Sequence, residues 1–219
     1  MIQTQSQVQS KPKAQPYYRI TPTLLNSWQN IFDSYLYVKE SENDEICLED
    51  KVALKREQAT KEFVDLLNRI PVPDNEFMKR GREYEADVYA NKDKVFSPIV
   101  ENGAFQVTIK KKIIVADTPV MLYGVLDCLK AGKIYDIKRV SKYAYGKYKR
   151  SHQHPVYLYL VPNAIDFTYL VMDDKEEHHE ENYIRENCED ILQTIAQFIS
   201  WLKSNDLYEI WTQKWAMYE

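Results

Sequence analysis

The residues best suited to chemistry lie in Met121–Val140, MLYGVLDCLKAGKIYDIKRV. Two apolar runs flank Lys130-Ala131-Gly132-Lys133, which reads as a tight hairpin connection. If Ala131-Gly132 form a two-residue loop, Lys130 faces Lys133, and counting outward sets Asp127 directly opposite Asp136. Cross-strand neighbours sit roughly 4.5–5.5 Å apart at Cβ, where like charges repel. Side chains alternate along a strand, so Lys138 shares the face of Asp136, together with Asp127, Val125, Leu129 and Ile134. A lone D-x-K would be an ordinary cross-strand ion pair. A second, facing aspartate calls instead for a divalent cation, because buried charges need partners and hard carboxylate oxygens suit Mg²⁺ or Mn²⁺.

The elements that must position these groups occupy a chain of 219 residues, with 44% hydrophobic and 28% charged residues and a formal charge of −4. That length suits one domain, read here as residues 16–219 with its core at about 74–173, preceded by a flexible arm over residues 1–15. Five glycines disfavour a glycine-rich nucleotide fold. Cys47, Cys128 and Cys188 lie far apart without a CxxC, so neither a zinc ribbon nor a disulfide framework is indicated, and a reduced, cytoplasmic setting is expected. No apolar run approaches ~20 residues, so no membrane partner is expected.

Thr21-Pro22-Thr23 opens a helix whose apolar face is Leu24, Leu25, Trp28, Ile31, Phe32, Tyr35 and Leu36. The acidic segment Glu40–Asp50 reads as a loop. Leu48–Ile70 reads as a second helix, with Val52, Leu54, Phe63, Leu66 and Leu67 inward. Asp74 caps a third helix, Asn75–Ala90, which places Phe77, Gly81, Tyr84, Glu85 and Val88 on one side. Gly81 there would let a neighbour approach. Ala104–Ala116 reads as a strand turned by Asp117-Thr118-Pro119, followed by the hairpin strands Val120–Leu129 and Lys133–Val140. His152–Leu160 reads as a helix and Ala164–Met172 as a strand. Asp173–Asp190 reads as a solvated acidic helix start, and His178-His179 within it as no more than an adventitious metal site. Ile184–Lys203 and a short aromatic helix close the chain. The order predicts an α/β fold: a mixed central sheet flanked by helices, with N- and C-terminal helical additions.

Glu85, Gly124-Val125-Leu126-Asp127, Asp136-Ile137-Lys138 and Gln153-His154-Pro155-Val156-Tyr157 occur in that order and on those element types. The set resembles the PD-(D/E)xK nuclease superfamily, in particular its RecB-like and phage-exonuclease-like branch. The resemblance covers roughly Thr21–Met172 and implies a restriction-endonuclease-like α-β-β-β-α-β core. The histidine that many RecB-like members carry upstream of the helix glutamate has no counterpart, because all four histidines lie at His152 or later. Three scattered cysteines offer no iron–sulfur cluster. By this resemblance Glu85, Asp127, Asp136, Lys138, Gln153 and Tyr157 are the catalytic set. Glu85, Asp127, Asp136 and the Ile137 carbonyl would hold one or two Mg²⁺ or Mn²⁺ ions.

Lys130–Arg150 adds eight Lys/Arg against one acid, with Tyr135, Tyr143, Tyr145 and Tyr148 interleaved. Cations engage phosphates and exposed aromatics stack on unpaired bases. Lys142, Tyr145, Lys147, Lys149 and Arg150 are the expected nucleic-acid contacts. The expectation is therefore a metal-dependent deoxyribonuclease, an exonuclease in preference to an endonuclease. It would serve recombination, repair or phage DNA metabolism in a bacterial or phage-infected cell, with DNA as partner and a recombination protein or second copy as further candidates. The alternative is a non-catalytic nucleic-acid-binding or scaffold protein that keeps the fold. A structural protein whose Tyr/Trp-rich helices bind a partner is a third reading.

Overall fold

Two hairpins of the sheet are each closed by two residues in left-handed backbone. Ala131 (φ 49°) and Gly132 (φ 78°) join Lys130 to Lys133, and Ala116 (φ 46°) and Asp117 (φ 56°) join Val115 to Thr118. Positive φ at both loop positions matches the twist of the flanking strands. Thr118 and Pro119 accordingly belong to the strand and not to the turn expected there. In the computed structural model, which describes residues 15–38 and 47–218, these hairpins build the sequence β2 (Ala104–Val115), β3 (Thr118–Lys130) and β4 (Lys133–Arg139). The expected arm therefore lies outside the described residues, except Gln15, and so does most of the acidic segment Glu40–Asp50.

β3 is the axis of the sheet. β2 lies along one side of it from Ala104↔Leu129 to Val115↔Thr118. On the other side β4 pairs only with Cys128, Leu129 and Lys130, and β1 (Tyr17–Ile20) runs parallel to Val120–Leu122. Residues 123–127 have no strand partner on that side, so β3 and β4 open a fork between them. β4 continues parallel to β5 (Asp166–Met172), β6 (His178–Tyr183) pairs antiparallel with β5, and β7 (Ala216–Met217) with β1. The result is a mixed sheet of seven strands among the described residues.

Helices cover both faces. On one, α1 (Pro22–Asp33), α2 (Leu48–Leu67), α5 (Gln153–Leu160), α6 (Ile191–Ser204) and α7 (Tyr208–Lys214) enclose Leu24, Leu25, Phe63, Leu122, Leu126, Phe198 and Trp211. On the other, α3 (Glu76–Tyr89) and α4 (Ser97–Val100) bury Tyr84, Val88, Phe96 and Val100 against Cys128, Ile137 and Leu170. Removing this apolar surface from water is the main favourable term of folding. Among the described residues no helix is long and apolar enough to cross a membrane.

Several expectations are corrected. Thr21 Oγ1 caps α1 as expected, but α3 is capped by Asn75, whose Oδ1 accepts the Met78 N–H at 2.9 Å, while Asp74 pairs with Arg82. Phe32, Tyr35, Leu36, Leu54 and Phe77 are exposed, because each helix buries a narrower stripe than its apolar pattern suggested. Nothing lies within 4 Å of where a Gly81 side chain would stand, so that glycine accommodates no close neighbour. The acidic segment is not a solvated helix start: β6 runs through it, and the Glu181 carboxylate is buried. That carboxylate is satisfied by Tyr143 Oη at 2.9 Å, the Tyr148 N–H at 3.3 Å and Tyr183 Oη. Donors drawn from distant segments offset the cost of burying it.

Candidate active site

One glycine-dependent contact assembles the site. A Cβ on Gly124 would stand 2.3 Å from Tyr157 Cε1, so the tyrosine ring lies flat on the bare backbone of β3. Tyr157 Oη donates to the Val125 carbonyl at 2.9 Å, inside the unpaired stretch of the fork. This contact docks α5 on β3 and sets Gln153, one helical turn earlier, over β4. Gln153 Nε2 donates to Asp136 Oδ1 at 3.0 Å.

The fork also changes how the two aspartates meet. Ladder pairing stops at Cys128↔Tyr135, so Asp127 and Asp136 are not backbone partners as the hairpin count predicted. Instead the Asp127 side chain crosses the gap, its Oδ2 accepting the Ile137 N–H at 2.9 Å. Leu126, not Val125, is the fully buried apolar residue beside it. Asp136 is buried, and Lys138 Nζ approaches its Oδ2 at 2.6 Å.

Burial and the neighbouring Asp136 push the Asp127 carboxyl up to about 8, against the pull of Lys138. Asp136 is raised by burial against the pull of the same lysine, and Lys138 is raised by both aspartates and by Glu85 despite its own burial. Glu85 faces this cluster from α3. It accepts from Tyr89 Oη and from Gln106 Nε2 (2.5 Å), and Tyr89 Oη also reaches the Asp127 carbonyl at 3.1 Å. Neither Tyr89 nor Gln106 was singled out in the sequence. Tyr89 sits four residues after Glu85 on one helix, a spacing that could have flagged it. Gln106 could not be found that way, because it comes from the strand opposite Asp127. Its φ of 51° is the kind of strained backbone that collects at functional sites.

The residues fit a hard cation. Asp136 Oδ2 is buried with the Lys138 ammonium at 2.6 Å, and three carboxylates face this ammonium group. A divalent ion would relieve that imbalance. Asp127, Asp136 and Glu85 do not bring three oxygens within 4.8 Å of one another. The set of three that does, among the described residues, is Asp173, Glu177 and His179, beyond the end of β5, and it could hold a metal ion. Part of that set is already engaged: Asp173 Oδ1 accepts the Lys175 and Glu177 amides, and His179 stacks on Tyr143 at 4.4 Å.

The basic segment divides. Lys130 caps the Pro98 and Ile99 carbonyls, Lys133 pairs with Asp166 and Arg139 with Asp174, and Arg150 holds the buried Asp33 of α1 at 2.5 Å. Lys147 donates to the Lys142 carbonyl, leaving Lys142 and Lys149 as the exposed cations of the segment that pair with no acid among the described residues. Of the four tyrosines, Tyr143 and Tyr148 are engaged with Glu181 and Tyr169 and Tyr135 is half-buried, whereas Tyr145 is 90% exposed.

No protein-family model matches the chain, and no curated protein matches it. Among solved structures, the crystal structure of SSO0001 aligns over 87% of this chain and 77% of that one, with a TM-score of 0.46 and 14% identity. A crystal structure named "Putative exonuclease", from Eubacterium rectale, aligns over 90% and 82%, with a TM-score of 0.42 and 14% identity. What the site can do follows from its own geometry.

Proposed function

We propose that this chain is a Mg²⁺- or Mn²⁺-dependent deoxyribonuclease of PD-(D/E)xK type. One observation carries this reading: Asp127, Asp136, Lys138 and Gln153 converge in the fork between β3 and β4, with buried carboxylate charge left uncompensated. The run α3, β2, β3, β4, α5, β5 supports the restriction-endonuclease-like core, with α4 as an insertion. Asp127 and Asp136 would hold the cation, with Glu85 and the Ile137 carbonyl completing its shell. The bound cation would supply Lewis acidity toward a phosphodiester and a more acidic water. Lys138 would set its ammonium against negative charge building on the phosphoryl oxygens, a preorganised charge beside the buried Asp136. Gln153 fixes the rotamer of Asp136, and Tyr157 fixes Gln153 by docking its helix. The likeness of the motif set to the phage-exonuclease-like branch favours DNA ends over internal positions.

The test incubates end-labelled linear DNA and closed circular DNA with Mg²⁺, Mn²⁺ or EDTA. Cation-dependent loss of end label with the circle intact is expected. Intact linear DNA under every cation, with wild-type DNA binding, would leave a binding protein that keeps the fold.

A further inference from the structure

A cavity of about 650 Å³ lies not over the carboxylates but beside them, between the first turn of α5, β6, α1 and the segment 145–152. Its volume is within the range of small-molecule sites, roughly 300–1,000 Å³. The sheet sets its distance from the carboxylates. Asp136 pairs with Tyr169, and Tyr169 with Glu181 of the cavity wall, so two strand spacings of about 4.7–4.9 Å separate them, roughly 10 Å. That is about three nucleotides of stacked strand at 3.4 Å each.

The lining is aromatic and amide, with cations at the rim and two carboxylates that are already engaged: Glu181 by Tyr143, Tyr148 and Tyr183, and Glu189 by His152 Nδ1 at 2.5 Å. Tyr183 stacks on His154 at 3.8 Å and 16°, a flat pair at the wall, and burial holds the imidazole neutral by lowering it to about 4. Tyr145 stands at the mouth, 90% exposed. Gln29 spends one amide N–H on Asp33 (3.1 Å), which turns its carbonyl oxygen to other use, whereas Asn182 bonds Thr168 Oγ1 (2.8 Å) on the opposite face of the sheet. The Gln29 acceptor suits the exocyclic amino group of a base. Lys149 lies on the rim and makes no ion pair among the described residues. A paired base hides its face in the stack and its Watson–Crick edge in the pair, so a duplex offers this cavity nothing. An unpaired nucleotide offers both.

We infer that the cavity takes an unpaired nucleotide of a DNA strand whose backbone continues to the carboxylates, so that the substrate is single-stranded or frayed at its end. The inference rests on the nuclease reading of the carboxylate site for the direction of that strand. Tyr145 and Tyr183 supply ring faces, Gln29 an edge contact, and Lys149 a phosphate contact.

The experiment uses the full chain in EDTA. Its probes are a short single-stranded oligodeoxynucleotide, its blunt duplex, and RNA of the same sequence. Affinity is read by fluorescence anisotropy, and stacking by the quenching of 2-aminopurine placed near one end. Wild type is expected to bind the single strand more tightly than the duplex and to quench the probe. Tyr145→Ala, at an exposed side chain that carries no fold contact, should weaken single-strand binding on the order of tenfold and abolish the quench, with a smaller effect on the duplex. Lys149→Ala should lower the single-strand salt slope by about 0.7. Equal affinity for single strand and duplex would overturn the inference, as would a Tyr145→Ala variant that weakens both or neither, or a preference for RNA. The two readings fail separately. A protein that holds single strands through Tyr145 but cleaves no DNA with any cation refutes the nuclease and spares the cavity. A protein that cleaves DNA without Tyr145-dependent binding refutes the cavity alone.

Discussion

At the scale of single residues, the site is defined by what each charge lacks. Lys138 is the ammonium that faces Asp136, Asp127 and Glu85, and it approaches the buried Asp136 Oδ2 at 2.6 Å. If the lysine acts on developing phosphoryl charge, Lys138→Ala should lower the cleavage rate by on the order of 10²–10³ while Mn²⁺ still raises the melting temperature. Asp136→Asn should do the reverse in the cation assay, losing the Mn²⁺-induced rise while holding or exceeding wild-type stability in EDTA. Cleavage rates and melting curves with and without Mn²⁺ check both, and a Lys138→Ala protein cutting at the wild-type rate removes that residue from the mechanism.

The titration of Asp127 gives a second residue-scale expectation. Its carboxyl is raised from the ordinary 3.8 to about 8, so the folded state binds that proton more tightly than the unfolded chain does. The stability it contributes is complete below the ordinary value and is lost as pH rises through the folded value. In EDTA the melting temperature should therefore fall from about pH 5 to about pH 8, a window above the range where the lowered carboxylates Asp93, Asp173 and Glu189 titrate. Asp127→Asn should flatten that fall. Parallel pH profiles for variant and wild type would deny Asp127 this role.

At the scale of elements, the geometry depends on α5 lying flat against β3. Gly124 and Tyr157 make one contact, and a methyl group on Gly124 meets ring carbons at 2.3 and 3.0 Å. The ring is buried and cannot swing away, so Gly124→Ala should destabilise the protein by about 1–3 kcal/mol. Tyr157→Leu in the same chain should return part of that loss by vacating the ring's place. Denaturant midpoints for the single and double variants measure the coupling, and additive effects would mean that the two residues do not press on each other. Because Gln153 rides on the same helix, Gly124→Ala should also loosen Asp136 and depress cleavage more than its stability loss explains.

At the scale of the whole molecule, a formal charge of −4 leaves any DNA affinity to a local patch, and the fold shrinks that patch. Arg150 anchors the segment to Asp33 of α1, whereas Lys142 and Lys149 face water. Replacing both lysines by alanine should flatten the slope of log affinity against log salt by about 1.4 to 1.8, according to strandedness, without moving the melting temperature. Arg150→Ala should instead lower the melting temperature, because it strands the buried Asp33 carboxylate. Salt titrations and melting curves of the two variants separate a nucleic-acid contact from a structural clamp; equal effects on both readouts would refute the division.

The linear sequence by itself determined the local events. The Lys130–Lys133 hairpin, the Thr21 cap, the β2–β3–β4 order and the face shared by Gln153 and Tyr157 each follow from a few adjacent residues and the periods of strand and helix. The residues that meet at the site were legible for the same reason, since type and spacing bring Asp127, Asp136 and Lys138 near one another whatever surrounds them. Only the tertiary structure decided how they meet. Whether β4 stays paired with β3 past Cys128 depends on β1 claiming the far half of β3 and on Tyr157 taking the Val125 carbonyl, contacts from segments over a hundred and about thirty residues away. The same dependence hid β6, whose charged residues become a strand only because Tyr143, Tyr148 and Tyr183 satisfy Glu181, and Gln106, which reaches Glu85 from another element. It also spent Arg139 and Arg150 on acids elsewhere in the chain. A charge in a sequence has no partner until the fold supplies one, and the partner determines whether it binds a ligand or holds the molecule together.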